Sequence, residues 1–427
     1  ADAANYTLAS TIASTTADIT RATISAVTGI TAANKTYDGT TAATLASGSA
    51  GFTGLVAGDK LSVASATGTF ADKNAGAGKA VSISGISLGG ADAANYTLAS
   101  STASATADIT RATIGAVTGI TAANKTYDGS TAATLTTAGA GFTGLVAGDK
   151  LSVASATGTF ADENAGSGKA VSISGISLGG ADAGNYTLAS STASTTADIT
   201  RATISAVTGI TAASKTYDGA TAATLTTSAA GFTGMVSGDR LSVASASGAF
   251  GDKNAGAGKT VAISGISLGG ADAGNYTLTS TTASTTADIT PRPLQIVLQG
   301  PVSKQFDGTP AAALSGENFV VSNLVAGESI SVLPVQGSFD NPQVGTGKTV
   351  SVTVTASNLV AGASTLLGNY QPPSSAVSMN QGEIRPNPPA VSVQAVVQVP
   401  PVSTVVSPSL SPSALSIQTR VAPDPAP

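Results

Sequence analysis

Carboxylates, amides and hydroxyls carry what chemistry this chain has, and they return at fixed intervals. Asp38, Asp59, Asp72 and Asp92 lie in the turn-like stretches YDG, GDK, ADKNAG and ADAANY. Gathered at one end of a domain, such carboxylates could hold calcium, which takes oxygen ligands. Their spacing matches no known calcium loop, and solvated turn carboxylates are the plainer reading. Tyr37-Asp38-Gly39 returns as Tyr127-Asp128-Gly129 and Tyr217-Asp218-Gly219, with Phe306-Asp307-Gly308 as a fourth version. Asp-Gly between two short runs predicts a two-residue hairpin turn, because both turn positions need positive φ. A solvent-facing recognition loop is the second reading of the same triplet. GAGK at Gly76–Lys79, with GAGKT at Gly256–Thr260 and GTGKT at Gly345–Thr349, superficially looks like a phosphate loop. The first glycine of that motif is missing, with Lys253 and Pro342 in its place, and a strand rather than a helix should follow. It reads as a turn entering a strand. Asn-x-Thr triplets at Asn34, Asn95 and their copies matter as glycosylation acceptors only where a glycosylation system exists. Turn and strand-start asparagines are the default.

The chain has no His and no Cys. That removes the commonest general base, the commonest metal ligand and every thiol nucleophile. Disulfides and Cys/His zinc sites are impossible. No catalytic residue, cofactor or firm metal site is expected, and the chain does not read as an enzyme. A formal net charge of −5 without any basic cluster argues against nucleic acid. Charged residues make up 10% of the chain, against roughly 25% in an average soluble domain. The longest apolar runs, such as Ala311–Leu314, fall far short of the roughly 20 residues that span a bilayer.

The elements that must position these residues repeat every 90 residues. ADAANYTLAS begins at Ala1 and at Ala91, and returns with small changes at Ala181 and Ala271. RATI recurs at Arg21, Arg111 and Arg201. Ala1 corresponds to the late part of a unit, so the chain is expected to start inside one. The expected organisation is a remnant at 1–20, repeats at 21–110, 111–200 and 201–290, a divergent repeat at 291–385, and a tail at 386–427. None of the 18 Pro precedes position 291, and the tail is Pro-rich. It reads as extended and largely disordered. The repeats abut without Gly/Ser spacers, which predicts stiff connections.

Aromatic residues recur only at equivalent positions. Tyr37, Phe52, Phe70 and Tyr96 correspond to Tyr127, Phe142, Phe160 and Tyr186, to Tyr217, Phe232, Phe250 and Tyr276, and to Phe306, Phe319, Phe339 and Tyr370. Such a set predicts core anchors, one small core per repeat. In LSVASATGTF and KAVSISGISL apolar residues alternate with small polar ones, and Gly85 shifts the phase as a bulge would. No helical periodicity appears. About seven short strands per unit predict a tandem array of immunoglobulin-like antiparallel β-sandwich domains. A solenoid is the alternative, but no sub-period of roughly 20–30 residues exists inside the unit.

KTYDGTTAATL, a GD[KR] segment, the GAGK turn, GNYTL and an ADIT-[PR] junction together resemble the YDG-domain repeats. Such repeats occur in very large exoproteins similar to filamentous haemagglutinins, the secreted partners of bacterial two-partner secretion systems. The resemblance covers about 21–380, and Phe306 in place of Tyr weakens only the fourth copy. It implies export from a Gram-negative cell through an outer-membrane transporter, display at the cell surface or release, and a role in adhesion, aggregation or biofilm. Partners would be host-cell, matrix or bacterial surface components. The runner-up is a passive spacer or surface-layer component without a ligand; a carbohydrate-binding array is a weaker reading. No receptor residues are implied at these positions.

Overall fold

A computed structural model of the chain describes residues 1–390. The disorder expected of the tail beyond that point lies outside the described residues; Pro386–Ala390 are exposed and form no strand. The architecture is all-β and four times repeated, and no helix among the described residues is long and apolar enough to cross a membrane. The chain divides into two compact units. The first comprises Ala1–Arg292 with Gly368–Tyr370, and the second comprises Pro293–Leu367 with the residues from Gln371 onward.

In the first repeat the strands are β1 (Ala22–Ile24), β2 (Ala26–Thr28), β3 (Thr31–Ala32), β4 (Lys35–Thr36), β5 (Ala42–Ala43), β6 (Leu45–Ala46), β7 (Gly51–Thr53), β8 (Ser62–Phe70), β9 (Gly76–Gly89), β10 (Tyr96–Leu98) and β11 (Ala103–Thr110). Short pairs β2–β7 and β3–β6 are antiparallel, whereas β1–β10 is parallel. A five-stranded sheet has the order β4-β11-β9-β8-β5, with β4 parallel to β11. The array expected from the sequence is therefore present, with more and shorter strands than seven and with two parallel pairings in each of the first three repeats. The sheet is curled. Its edge strands β4 and β5 approach closely enough for Lys35 Nζ of β4 to bond the Ala42 carbonyl of β5 at 3.1 Å.

The alternation in β8 and β9 dictates which faces are buried. Phe70, Val81 and Ile83 point inward, with Ile109 and Ala107 of β11 beside them. At Gly85 the pairing jumps from Thr67↔Ser84 to Ser65↔Ser87. The glycine has φ +64°, so an extra residue fits and Ile86 regains the buried face. The bulge expected at Gly85 is there. GAGK is likewise not a turn before a strand: Gly76 already opens β9, and Gly78 (φ +59°) forms a second bulge.

One core per repeat is the expectation the structure overturns. Tyr127, Phe160, Val171, Ala197 and Ile199 of the second repeat form one buried cluster with Ala202, Ile204 and Tyr276 of the third. The cause is the missing spacer. Strand Ala193–Thr200 runs almost directly into Ala202–Ile204, and the side chains on either side of Arg201 share an interior.

The second unit keeps the five-stranded order with its own strands Val302–Gln305, Val377–Arg385, Gly345–Val352, Val335–Phe339 and Ala311–Leu314. The long strand equivalent to β8 is cut into Ile330–Val332 and Val335–Phe339. Pro334 stands in the gap, where a missing N–H ends ladder pairing.

Candidate functional site: the junction between repeats

The YDG triplet proves to be a junction rather than a hairpin. Asp38 has no positive φ; among the described non-Gly residues only Asn323 does. The strands on either side, β4 and β5, are opposite edges of the sheet and do not pair with each other. A two-residue hairpin is thereby excluded. Instead Asp38 Oδ1 accepts the Thr40 N–H at 2.9 Å and the Thr40 hydroxyl at 2.8 Å, an Asx turn. Lys35 Nζ lies 2.7 Å from the same carboxylate and 5.8 Å from the centre of the Phe70 ring. The Lys35 bond, with the Thr40 bonds behind it, holds the Asp38 carboxyl down at about 2 despite partial desolvation. Asp128 and Asp307 are depressed to about 2 in the same way by Lys125 and Lys304.

Gly39 (φ +77°) lets the chain leave this turn and admits the next repeat. A Cβ there would sit 2.9 Å from Val146 Cγ1, and one at Gly129 would sit 3.0 Å from Val236 Cγ1. Only glycine satisfies both the backbone and the approach.

Tyr37 then reaches across. Its hydroxyl donates to Asp149 Oδ2 at 2.7 Å, and Tyr186 donates to the same oxygen at 2.7 Å. The two rings meet edge to face, 5.5 Å apart at 76°. Lys73 Nζ approaches Asp149 Oδ1 at 3.1 Å, while the Asp149 side chain is only 3% exposed. Burial pushes the Asp149 carboxyl up, but the bonds from Tyr186, Tyr37 and Lys73 together leave it below the usual range. Burial first, and the Asp149 bond second, push Tyr186 up to about 12 and raise Tyr37 as well.

A second clasp is made of amides. Asn185 Oδ1 of the second repeat accepts the Ala75 N–H of the first at 2.9 Å, and its Nδ2 donates to Asn74 Oδ1 at 3.3 Å. Asn185 is 5% exposed. Left unpaired, a buried amide would cost about 1–3 kcal/mol, so the backbone partner across the junction is what makes its burial tolerable.

Both clasps return between repeats two and three. Tyr127 and Tyr276 donate to Asp239 Oδ2, with the rings again 5.5 Å apart at 76°. Ala165 donates to Asn275 Oδ1 at 2.9 Å. Within the same unit Tyr217 meets Tyr370 edge to face at 5.5 Å, and Ala255 donates to Asn369 at 2.7 Å.

The four calcium candidates are employed separately. Asp38 closes its Asx turn, Asp59 accepts the Tyr96 hydroxyl at 2.6 Å, Asp72 bonds Asn74 N and Lys79 Nζ, and Asp92 takes the Lys60 N–H at 2.8 Å. Among the described residues no three carboxylates converge as a metal would need. Asn34 of the Asn-x-Thr triplet accepts the Asp108 N–H at 2.7 Å, and Asp108 in turn accepts the Gly78 N–H at 2.7 Å. In the third repeat Ser214 takes over the first of these bonds. A cleft of about 540 Å³ in the third repeat is lined by Ala, Val, Leu, Gly, Ser and Thr alone, so it offers hydroxyls but no charge to orient a ligand.

Of the anchors, Phe70, Tyr96, Phe160, Tyr186, Phe250, Tyr276, Phe319, Phe339 and Tyr370 are buried, as are Tyr37, Tyr127 and Tyr217. Phe52, Phe142 and Phe232 are only half-buried. They sit in short two-stranded pairs and pack against the core clusters only in part. Phe306 is 38% exposed. Sequence reasoning missed the roles of Asp149, Asp239, Asn185 and Asn275. A usable signal existed: GD and the NY pair stay fixed in the first three copies while the position of Lys73 changes to Glu163.

No curated protein matches this chain. The YDG domain model matches it four times, at residues 20–105, 110–195, 200–284 and 290–376. Those matches cover most of the chain, end close to the recurring ADIT boundaries, and take in each Tyr/Phe-Asp-Gly turn; the chain belongs to the YDG domain family, in four tandem copies.

Proposed function

We propose that the chain is a repetitive stalk or adhesive segment of a secreted bacterial surface adhesin, a binding or spacing protein rather than a catalyst. The observation that carries this reading is the repeated junction. The same tyrosine pair on a buried carboxylate, and the same asparagine clasp, join repeat one to two and two to three. Length gained by duplicating one unit, with a stiff packed junction in place of a spacer, is what a projecting element requires. The thinly charged, cysteine-free composition suits passage through an export pore before folding. On the resemblance, the exporter is an outer-membrane transporter of the two-partner kind and the location is the surface of a Gram-negative cell.

The adhesive and passive forms separate in one experiment. Beads bearing arrays of increasing copy number are tested on host cells, matrix and bacterial cells. Adhesion through the repeats gives attachment that climbs steeply with copy number. Attachment absent at every copy number leaves the passive spacer.

A further inference from the structure

The strands equivalent to β8 in repeats two and three, Ser152–Phe160 and Ser242–Phe250, are paired along one side and only in part along the other. Ala132 and Ala133 pair with Thr159 and Gly158, and the Phe160 N–H bonds the Thr131 carbonyl at 2.8 Å. Beyond that point the arm departs, and Leu135 and Thr136 pair instead with Ala122 and Thr121. From Ser152 to Thr157 no strand among the described residues pairs with that side. A cleft of about 410 Å³ opens there, between Leu135 and Thr137 of the arm and Val153–Gly158 of the strand. The cleft of about 540 Å³ in the third repeat lies in the same place, between Leu225, Thr227 and Val243–Gly248. The fourth repeat closes the equivalent edge. There Ala311–Leu314 stays on the long strand as far as Leu314↔Val335, and Leu314 is 2% exposed where Leu135 is half-buried. Its sequence is AAAL where the second repeat has AATL. The complement of the edge is thus given within the chain: an uncharged strand, small at three positions and branched apolar at the fourth.

We propose that the uncovered edges at Val153–Thr157 and Val243–Ser247 bind a partner protein by strand addition, taking an extended, uncharged segment of small and apolar residues. The cleft has no charge to orient a guest, but a row of backbone N–H and C=O groups orients a strand without one. Natural sheet edges are commonly guarded by charge or proline. Leu151–Phe160 and Leu241–Phe250 contain neither. The register shift at Ser155 confines a guest to a few residues, the length of the fourth repeat's own strand. A second copy of this chain would have to bring its own arm to the same place, so the cleft suits a single strand rather than another sheet edge. The inference rests on the adhesive reading and says how the repeats would grip a partner. The bead experiment reads adhesion by any surface and the experiment below reads this edge alone, so attachment without edge protection sinks the edge and spares the adhesin.

The test uses the full chain and a capped peptide copying Pro310–Gly316. Hydrogen exchange is followed in the proteolytic fragment 241–250, whose Ser247 and Ala249 distinguish it by mass from the identical fragments 61–70 and 151–160. With the peptide in excess, amides of 243–247 should exchange about fivefold more slowly. Those of 335–339, whose edge is already filled, should be unchanged. No slowing in 241–250, or equal slowing in 335–339, overturns the proposal. Protection already present without peptide overturns it too, since the chain would then be covering the edge itself. Two altered peptides test the chemistry. Ala312→Pro in the peptide removes a ladder N–H and should abolish protection; protection retained would mean that side chains alone hold the guest, and strand addition would fall. Leu314→Asp in the peptide puts a charge against the apolar wall and should weaken binding about tenfold. Undiminished binding would place the guest outside the cleft and overturn the assignment.

Discussion

Two junctions in the first unit share their geometry and differ in their charge. Between repeats one and two, Lys73 stands 3.1 Å from the buried Asp149. Between repeats two and three the equivalent residue is Glu163, which has no ion-pair partner among the described residues, and Asp239 keeps its two tyrosines. The tyrosine rings nevertheless meet at the same 5.5 Å and 76° in both places. A cation is therefore dispensable to the arrangement. The two hydroxyls and the edge-to-face contact set the geometry, and the lysine is an addition on the rim that is 41% exposed.

The largest effect should come from the carboxylates. Replacing Asp149 or Asp239 by leucine strands two buried hydroxyls, each costing about 1–3 kcal/mol. Nearest-neighbour coupling between repeats, obtained from urea unfolding of arrays of different length, should fall by about 3 kcal/mol at either junction. Equal losses sharpen the comparison. A much larger loss at Asp149 than at Asp239 would break it, and would make the lysine the principal partner.

How much of this was legible beforehand differs between fold and site. The strand-rich repeat, its period and the bulge at Gly85 could be read because each depends on local pattern: alternation, a phase slip, a glycine. The junction could not. Tyr37 and Asp149 are 112 residues apart, and no periodicity inside one unit points from the YDG turn of one repeat to the GDK turn of the next. Asp-Gly misled for a related reason. As a local signal it favours a hairpin, but the curled sheet puts β4 and β5 on opposite edges, and the turn was shaped by Thr40 and Lys35 instead. Phe52 was overvalued because recurrence marks a residue as structural without saying how far it is enclosed.

High pH should distinguish the junctions next. Tyrosine in an unfolded chain titrates near 10. Burial first, then the bond to the carboxylate, push Tyr127 and Tyr276 up to about 12. A raised folded value means the contribution is fully present below pH 10 and is lost as pH climbs toward 12. At the first junction Lys73 opposes the rise in Tyr37, so Tyr37 should ionise first and the first junction should loosen before the second on alkalinisation. Ultraviolet titration of tyrosinate, in chains carrying Tyr37→Phe or Tyr127→Phe, assigns the order. Simultaneous release at both junctions would deny Lys73 any influence.

Single hydroxyl deletions should cost less. Tyr37→Phe and Tyr127→Phe keep the ring contact and leave Asp149 or Asp239 with its own repeat's tyrosine. Each should weaken coupling by about 1 kcal/mol, the net worth of one hydrogen bond to a charged acceptor being about 1.5 at least and solvent replacing part of it. A loss near zero in Tyr127→Phe would mean that ring packing alone joins the repeats.

The smallest effect should come from exchanging the charges themselves. Glu163→Lys gives the second junction the cation of the first, and Lys73→Glu does the reverse. Since Asp239 is already satisfied by two hydroxyls, the new lysine can add only an attraction across a partly solvated gap, and surface pairs contribute little. The melting temperature should rise slightly with Glu163→Lys and fall slightly with Lys73→Glu. Both shifts should fade by about 0.5 M salt, where charges more than a few ångströms apart are screened. The hydroxyl deletions should be indifferent to salt, because their donor and acceptor are buried together. That contrast separates the two contributions in one titration. Should the charge exchange outweigh Tyr127→Phe at low salt, the rim lysine would have to be moved to the centre of the junction, and the equality of the two ring geometries would need another cause.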